Sequence, residues 1–588
     1  MEEQNGVRVR RQSFLHGALI LVAAIAIEKI IGALFKIPLA WILTPVGNGY
    51  FGNAYSLYSP LFSLATAGFP IAISRLVSEN YVRGRYRDIR QIHRASTRIF
   101  LFLGILSFSI MLFGARPYVN YAVGGHPQDA LPAIYVLVPA VFFASMMSIY
   151  RGYYEGLQNM YPTAISEVVE AVCKLVFGLT SAWLIVSMGL REYAASGTVF
   201  GVRQASAEYA KMATLPYAAA GAISGVTLGG VFGFLFLLIY HKRFGDGITS
   251  AMLHTSPRPL PMKLTASRLI RTAIPVALGS LAVNLSAFVD STFLQKRISD
   301  IMQSGSGVLL KMYAGTISPE AIQSNLVPSF LFGCYTNAQT LFMFVPAITQ
   351  AFGISALPSV TAAWTEGNPK KIRHSIESVL RIVAMLTIPS GLGLSVLSGP
   401  IAELIYGGKA NAPEITGKIL VILGLAAIFA ATSTPINSML QAVGRVDLPV
   451  KLLVLGLAVK VILNYTLVGI PEINVMGAGI GTLVCYVLIT FYALYFLCRE
   501  TNVVPNFISI FLKPTLASVL SVGAAWLFWR AAAHILPGKI TTCLAVALAA
   551  FLYGICLLWF RALKKQDILM LPKGQKIAKI LEKHNWIR

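Results

Sequence analysis

Long apolar stretches, separated by short polar turns rich in arginine and lysine, run through the chain from about residue 14 to residue 561. A helix needs about 20 apolar residues to cross a bilayer, and about fourteen stretches reach that length. They begin with 14–42 and 51–78, include 326–358, and end with 508–529 and 538–561. In hydrocarbon every backbone N–H and C=O must be paired within the segment, so apolar runs of this length predict helices. The expected fold class is an all-α integral membrane protein with about fourteen transmembrane helices. The first run is too long for a cleaved signal peptide and lacks a small-residue cleavage site, so it reads as the first span.

Charge follows the turns. Arg8, Arg10 and Arg11, the loop Arg83-Arg85-Arg87-Arg90-Arg94, and Lys242, Arg243, Arg258 and Lys263 fall in turns of one parity. Lys370, Lys371, Arg373, Arg445 and the tail lysines Lys564, Lys565, Lys573, Lys576 and Lys579 join them, and turns of the other parity hold far fewer. This alternation is the positive-inside pattern, and with an even number of spans it places both termini in the cytoplasm. It also accounts for the net charge of +24 without nucleic acid as a partner. Of the 588 residues 56% are hydrophobic and 12% charged, against about 25% charged in soluble domains. The expected location is the cell membrane.

A shift of 283 residues brings the chain onto itself. Gly68-Phe69-Pro70-Ile71 falls over Ala351-Phe352-Gly353-Ile354, Ile89-Arg90 over Ile372-Arg373, Arg98 over Arg381, and Leu157-Gln158 over Leu440-Gln441. Spans 1–6 and 7–12 are therefore expected to form two six-helix lobes of parallel topology, with two C-terminal helices outside the repeat. The resulting division is a cytoplasmic N-terminus (1–13), a first lobe (14–240), a cytoplasmic linker (241–267), a second lobe (268–498), spans 13 and 14 (508–561) and a cytoplasmic tail (562–588). The tail spaces Ile577, Ile580 and Leu581 among lysines. Such a segment is either an amphipathic helix on anionic lipid or a solvated charged end.

Ionisable residues inside the apolar runs carry the functional information, because a charge at bilayer depth costs a few kcal/mol or more and usually faces water or a partner. Lys29 and Lys36 share a face of span 1, with Glu28 on an adjacent face; Lys36 is placed to snorkel toward the nearer end. Glu167, Glu170 and Lys174 form one stripe on span 5, and Glu170 and Lys174 have the spacing for an i,i+4 pair. Ser286 and Asp290 in span 7, and Lys460 and Asn464 in span 11, are further i,i+4 sets. Asp290 either holds a cation or bonds a neighbour. Arg75 lies near the end of span 2, and Arg98 and Arg381 are expected as anchors at the starts of spans 3 and 9. Arg151 and Glu155, at the end of span 4, are placed for a gate or an interfacial anchor. The candidate cavity residues are Lys29, Arg75, Glu170, Lys174, Asp290 and Lys460.

Other chemistries lack their residues. No Gly-x-x-x-x-Gly-Lys loop or His-Glu-x-x-His run occurs, so neither nucleotide hydrolysis nor zinc catalysis is expected. Cys173, Cys334, Cys485, Cys498, Cys543 and Cys556 form no CxxC pair, which leaves buried free thiols rather than a disulfide framework or a metal site. No catalytic constellation and no cofactor are expected.

The runs Glu28-Lys29-Ile30-Ile31-Gly32, Gly68-Phe69-Pro70-Ile71-Ala72-Ile73-Ser74-Arg75 and Arg151-Gly152-Tyr153-Tyr154-Glu155-Gly156-Leu157-Gln158 resemble the polysaccharide-export branch of the MOP exporter superfamily. So do Pro162-Thr163-Ala164-Ile165-Ser166, leading to Glu170 and Lys174, and Val459-Lys460, leading to Asn464. Within that branch the chain is most similar to the SpoVB/YtgP group, relatives of the MurJ lipid II flippases. The resemblance implies a two-lobed bundle around a largely cationic cavity. It also implies flipping of an undecaprenyl-diphosphate-linked, lipid II-like saccharide by alternating access, driven by a coupling cation or the membrane potential. The expected partners are this substrate and membrane lipids, and the expected state is a monomer. The competing expectations are a cation-coupled exporter of drugs or metabolites from the same superfamily and, from another class, a membrane glycosyltransferase. The excess of embedded Lys and Arg disfavours cationic cargo, and the shortage of acids in the external segments disfavours the enzyme.

Overall fold

The structure is a computed structural model that describes residues 14–66, 68–408, 411–560 and 562. The expected N-terminal segment 1–13 and, apart from Ala562, the expected tail 562–588 lie outside the described residues. The described chain is overwhelmingly helical. Its one sheet is a hairpin pairing Thr198–Val199 with Val202–Arg203. Among the described residues twelve helical segments are long and apolar enough to cross a membrane, so the chain is a multi-pass membrane protein.

The difference from the expected fourteen has two identifiable sources. Spans 1 and 2 fall in one continuous segment, Ala23–Val82. It is made of α1 (Phe14–Thr66) and α2 (Gly68–Val82). At 1.5 Å per residue α1 alone is about 80 Å long, far more than one crossing needs. It is interrupted at Thr44, whose φ of 55° and ψ of 178° are not helical, and Pro45 follows directly. Stretch 326–358 instead divides at Met343 between two shorter helices.

The chain separates into two compact units, one of Met1–Ser299 with Ser318–Gly333 and one of Asp300–Ile317 with Cys334–Arg588. The first contains α1, α2, α3 (Tyr86–Ala122), α4 (Leu131–Gly156), α5 (Tyr161–Ser196), α6 (Ala207–Phe244), α7 (Ser250–Thr255) and most of α8 (Met262–Gly305). The boundary was expected in the linker 241–267 and falls inside α8. Side-chain bonds explain the shift. Tyr118 Oη of α3 lies 2.8 Å from Ser291 Oγ, and Gln295 donates to Asn53 Oδ1 of α1 at 2.5 Å, which ties α8 to this unit.

Local sequence sets the helix ends. Pro162 opens α5, where its missing N–H is not needed. Gly197 ends the helix in the left-handed region and donates its N–H to Tyr193. Ser206 caps α6 by accepting from Tyr209 N, and His241, Lys242 and Arg243 fill its last turn, where cations suit the helix dipole. Between these ends α5 and α6 touch backbone to backbone along Gly221, Gly225 and Gly229. A Cβ at Gly225 would lie 2.8 Å from the Lys174 carbonyl, and one at Gly229 2.8 Å from that of Glu170. Four-residue spacing puts these glycines on one stripe, the small-residue seam that lets membrane helices approach closely. Gly225→Ala is expected to destabilise the first unit by about 1–3 kcal/mol through overpacking. Unchanged thermal melting in detergent would show that the seam tolerates a methyl group.

The second unit begins with the end of α8 and α9 (Gly307–Met312). The chain returns to the first unit for α10 (Pro319–Gln323) and the start of α11 (Val327–Phe342). It then continues through α12 (Phe344–Thr365), α13 (Pro369–Val396), α14 (Ser398–Tyr406), α15 (Pro413–Ala442), α16 (Asp447–Leu467), α17 (Met476–Thr501), α18 (Lys513–Ala532) and α19 (Gly538–Trp559). Its core packs Ile376 and Leu380 of α13 with Met439 and Leu440 of α15, Leu497 of α17 and Ile510. The C-terminal pair α18 and α19 covers α13, with Met385, Ala517 and Leu557 in contact and Tyr553 donating to the Met385 carbonyl at 2.8 Å.

Arg98 and Arg381 were expected to be alike and are not. Arg98 is exposed, whereas Arg381 is 1% exposed and lies 3.8 Å from Glu377. Glu377 also binds Arg373 at 3.0 Å and the backbone N–H of Asn506 at 3.1 Å. At the 283-residue offset the residue matching Glu377 is Arg94. A carboxylate is therefore present beside the buried arginine in one repeat and replaced by a cation in the other.

Candidate functional site

The first unit holds a polar cleft within its apolar helices. About 640 Å³ of empty space is bordered by Glu28 and Phe35 of α1, Arg151 of α4, and Glu167, Glu170 and Lys174 of α5. The stripe on α5 runs beside the glycine seam, since Gly225 and Gly229 of α6 approach the carbonyls of Lys174 and Glu170, and its side chains border the cleft. Arg151 reaches across from α4, donating from Nε to Ser166 Oγ at 2.9 Å and from Nη2 to Glu170 Oε2 at 3.1 Å. The Ser166 hydroxyl donates to the Thr163 carbonyl at 2.7 Å, which fixes its oxygen as the acceptor toward Arg151. Glu170 thus pairs with Arg151 of the neighbouring helix and not with Lys174. The i,i+4 pair expected within α5 does not form among the described residues.

Lys174 is held by aromatic faces instead. Its ammonium lies 5.3 Å from the ring centre of Phe35 and 5.4 Å from that of Tyr55. Lys36 does the same, 4.3 Å from the Phe51 ring and 5.5 Å from that of Tyr55. Two lysines therefore share one tyrosine ring, and neither forms an ion pair with a carboxylate among the described residues. A cation over an aromatic face gains about 0.5–2 kcal/mol while keeping its donors available. The expected snorkelling of Lys36 does not occur, because α1 continues past it through the kink at Thr44, and Phe51 and Tyr55 lie alongside.

The remaining candidates are dispersed. Lys29 is exposed, 3.3 Å from Glu28, and is not among the residues that border the cleft. Arg75 on α2 is exposed. Glu155 is half-buried one turn beyond Arg151, outside the cleft lining, so Arg151 belongs to the cleft and not to a pair with Glu155. Asp290 on α8 is 1% exposed. Lys460, in the second unit on α16, is 2% exposed, one turn from the fully buried Asn464. The close approach of α17 supports that turn, since a Cβ at Gly481 would collide with Asn464 Oδ1.

The expected cationic tilt is not what the cleft shows. Its lining carries three carboxylates (Glu28, Glu167 and Glu170) and two cations (Arg151 and Lys174). Of these, Glu170 is neutralised by Arg151 and Glu28 lies against Lys29. What distinguishes Lys36 and Lys174 is that aromatic rings, not acids, hold them. The aromatic part of the site was missed in the sequence, although its signal is present. Phe51 and Tyr55 stand four residues apart, as do Tyr58 and Phe62, and both pairs stack, with ring centres 4.7 and 5.1 Å apart.

Comparison with known proteins agrees along the chain. The profile of the family described as polysaccharide biosynthesis protein matches residues 14–306. That of the lipid II flippase MurJ family matches residues 328–544. The chain is 26% identical over 495 residues to the lipid II flippase MurJ of Bacillus subtilis (strain 168), covering 83% of each protein. It is 24% identical over 580 residues to stage V sporulation protein B of the same organism, covering 96% of this chain and 98% of that one. Among solved structures, lipid II flippase MurJ in its inward closed conformation shares the fold with a TM-score of 0.59 at 14% identity, over 93% of this chain and 99% of the other. Two family profiles that together take in most of the chain, and similarity over most of its length to both relatives, make this protein a homologue of the lipid II flippase MurJ and stage V sporulation protein B of Bacillus subtilis.

Proposed function

We propose that this protein is a flippase, moving an undecaprenyl-diphosphate-linked saccharide precursor of the lipid II type across the cytoplasmic membrane by alternating access. The observation that carries the reading is the lysine pair Lys36 and Lys174, held over Tyr55 without a carboxylate partner inside an apolar helical unit. A diphosphate loses its hydration shell on entering hydrocarbon, at a cost far beyond what burial of a tail returns. Ammonium groups already inside the membrane replace part of that shell. Because aromatic rings hold them, an incoming anion need not displace a resident acid. Arg151 is occupied by Glu170, and its role is to set the shape and charge of the wall. The charge of the turns supports a cytoplasmic side for both termini and the loop Arg83–Arg94, which reporter fusions to each terminus would check.

The carboxylates favour one further element. Glu167 borders the cleft and makes no ion pair among the described residues, and a protonatable group there suits coupling to a cation or proton. The same feature supports the second reading, a cation-coupled exporter of drugs or metabolites. Two experiments separate them. The first is rescue of a bacterial strain depleted of its own lipid II flippase, where growth is expected. The second is a flipping assay with purified protein in vesicles carrying a labelled undecaprenyl-diphosphate saccharide, where transbilayer movement is expected. Drug resistance on overexpression, with no rescue and no flipping, would reverse the order.

A further inference from the structure

A second pocket in the first unit lies where the arginine-rich start of α3 meets the end of α6. About 630 Å³ of space is bordered by Arg90, His93 and Arg94 of α3, Tyr153 of α4, His241 of α6 and Asp246 just beyond it. We propose that this pocket binds a phosphate monoester group, a role separate from transport of the lipid-linked substrate.

The pocket is a built site. Gly245, at a φ of 68°, ends α6 and turns the chain back, and Tyr154 donates to its carbonyl at 2.9 Å. The segment that follows is fastened to α3. Arg87 Nε donates to the Leu253 carbonyl at 2.9 Å, the Arg87 N–H to Ser256 Oγ at 3.1 Å, and the Leu260 N–H to Asp88 Oδ1 at 2.8 Å. The imidazoles of His93 and His241 stack across the pocket, 5.4 Å apart and 10° from parallel. His93 Nε2 is sealed from solvent and has no hydrogen-bond partner. A buried polar atom left unpaired carries a cost that a ligand oxygen would remove.

Charge identifies the ligand. The one acid, Asp246, is already engaged: Tyr153 Oη donates to it at 2.8 Å, the Ile248 N–H at 3.0 Å, and Arg90 Nε stands 3.7 Å away. Arg94 has no carboxylate partner among the described residues. Arg90, Arg94 and Arg98 recur every four residues along one side of α3, an arrangement of like charges that opposes the helix. At the 283-residue offset the second unit carries Arg373, Glu377 and Arg381, and there Glu377 binds Arg373 at 3.0 Å. The second repeat supplies its own anion, and the first leaves the place open. Guanidinium forks match the oxygens of a phosphate. A dianionic monoester, free in solution or as the headgroup of a lipid such as phosphatidic acid, suits two arginines better than a diester does.

The test uses the purified full chain. Thermal melting in detergent is followed against inorganic phosphate, with chloride balancing ionic strength. In a second arm the chain is placed in phosphatidylcholine nanodiscs, with phosphatidic acid or phosphatidylglycerol added. Arg94→Gln is expected to weaken phosphate binding at least tenfold, whereas Arg98→Gln, on the same stripe but outside the pocket, leaves it unchanged. Stabilisation by inorganic phosphate alone assigns a soluble ligand. Stabilisation by phosphatidic acid, and not by phosphatidylglycerol, assigns a lipid headgroup. An effect no larger than that of chloride in wild-type protein, together with no preference for phosphatidic acid, overturns the site. Equal weakening by the two variants overturns it as well, because it would report only diffuse charge.

Discussion

A chain carrying Lys36→Met and Lys174→Met is expected to reach the membrane at normal levels and to lose translocation of the diphosphate-linked substrate by about 10²- to 10⁴-fold. Each charge-assisted bond to a phosphate is worth about 1.5–3 kcal/mol, and about 1.4 kcal/mol is tenfold in rate, so the two together span that range. Methionine keeps an unbranched apolar stem against Phe35, Phe51 and Tyr55, so packing is largely retained and the change isolates the charge. Each single substitution is expected to cost about 10- to 100-fold. Flipping by the double variant at the wild-type rate in reconstituted vesicles would remove the lysine pair from the transport path. A large loss accompanied by poor membrane levels would instead point to folding, and the melting temperature measured beside the flipping rate separates the two.

Arg151→Met is expected to act first on stability. It leaves Glu170 without its partner and Ser166 without a donor. Breaking a fully buried pair costs about 3–5 kcal/mol. Here both side chains are partly exposed, at 19% and 29%, so the expected loss is about 2–3 kcal/mol. Glu170→Gln placed on top of Arg151→Met is expected to restore much of it, because the unpaired charge is then gone. A double-mutant cycle on melting temperatures measures this coupling. Two losses that simply add would show that Arg151 and Glu170 do not act as a pair. Restored folding without restored flipping would show that the pair also shapes the route of the substrate.

The class of the molecule was legible because insertion into hydrocarbon is decided window by window. Any stretch of about 20 apolar residues announces itself without knowledge of its neighbours. The same local character explains where the count slipped. Ala23–Val82 contains two runs, but only φ and ψ at Thr44 show where α1 breaks between them. Lys174 and Glu170 were readable as polar residues on one helical face. Their partners were not, since i,i+4 spacing permits a pair without requiring it. Arg151, nineteen residues earlier on another helix, supplies a planar double donor at 3.1 Å. The fate of Arg381 was hidden in the same way. The repeat equates it with exposed Arg98, and the single change from Arg94 to Glu377 provides the carboxylate beside which it is buried.

From the order of residues alone come the spans, the alternation of charged turns, the repeat and the handful of ionisable groups that must find water or a partner in the membrane. The tertiary structure decided which of those groups meet. Glycines at 221, 225 and 229 let α6 pack closely against α5, Arg151 of α4 meets Glu170, and Phe51 and Tyr55, beyond the break at Thr44, lie beside Lys36. Placement in a membrane depends on the hydropathy of one segment, whereas an ion pair or a cation over a ring depends on a few ångströms between segments far apart in the chain. That distance exists only once the helices have packed.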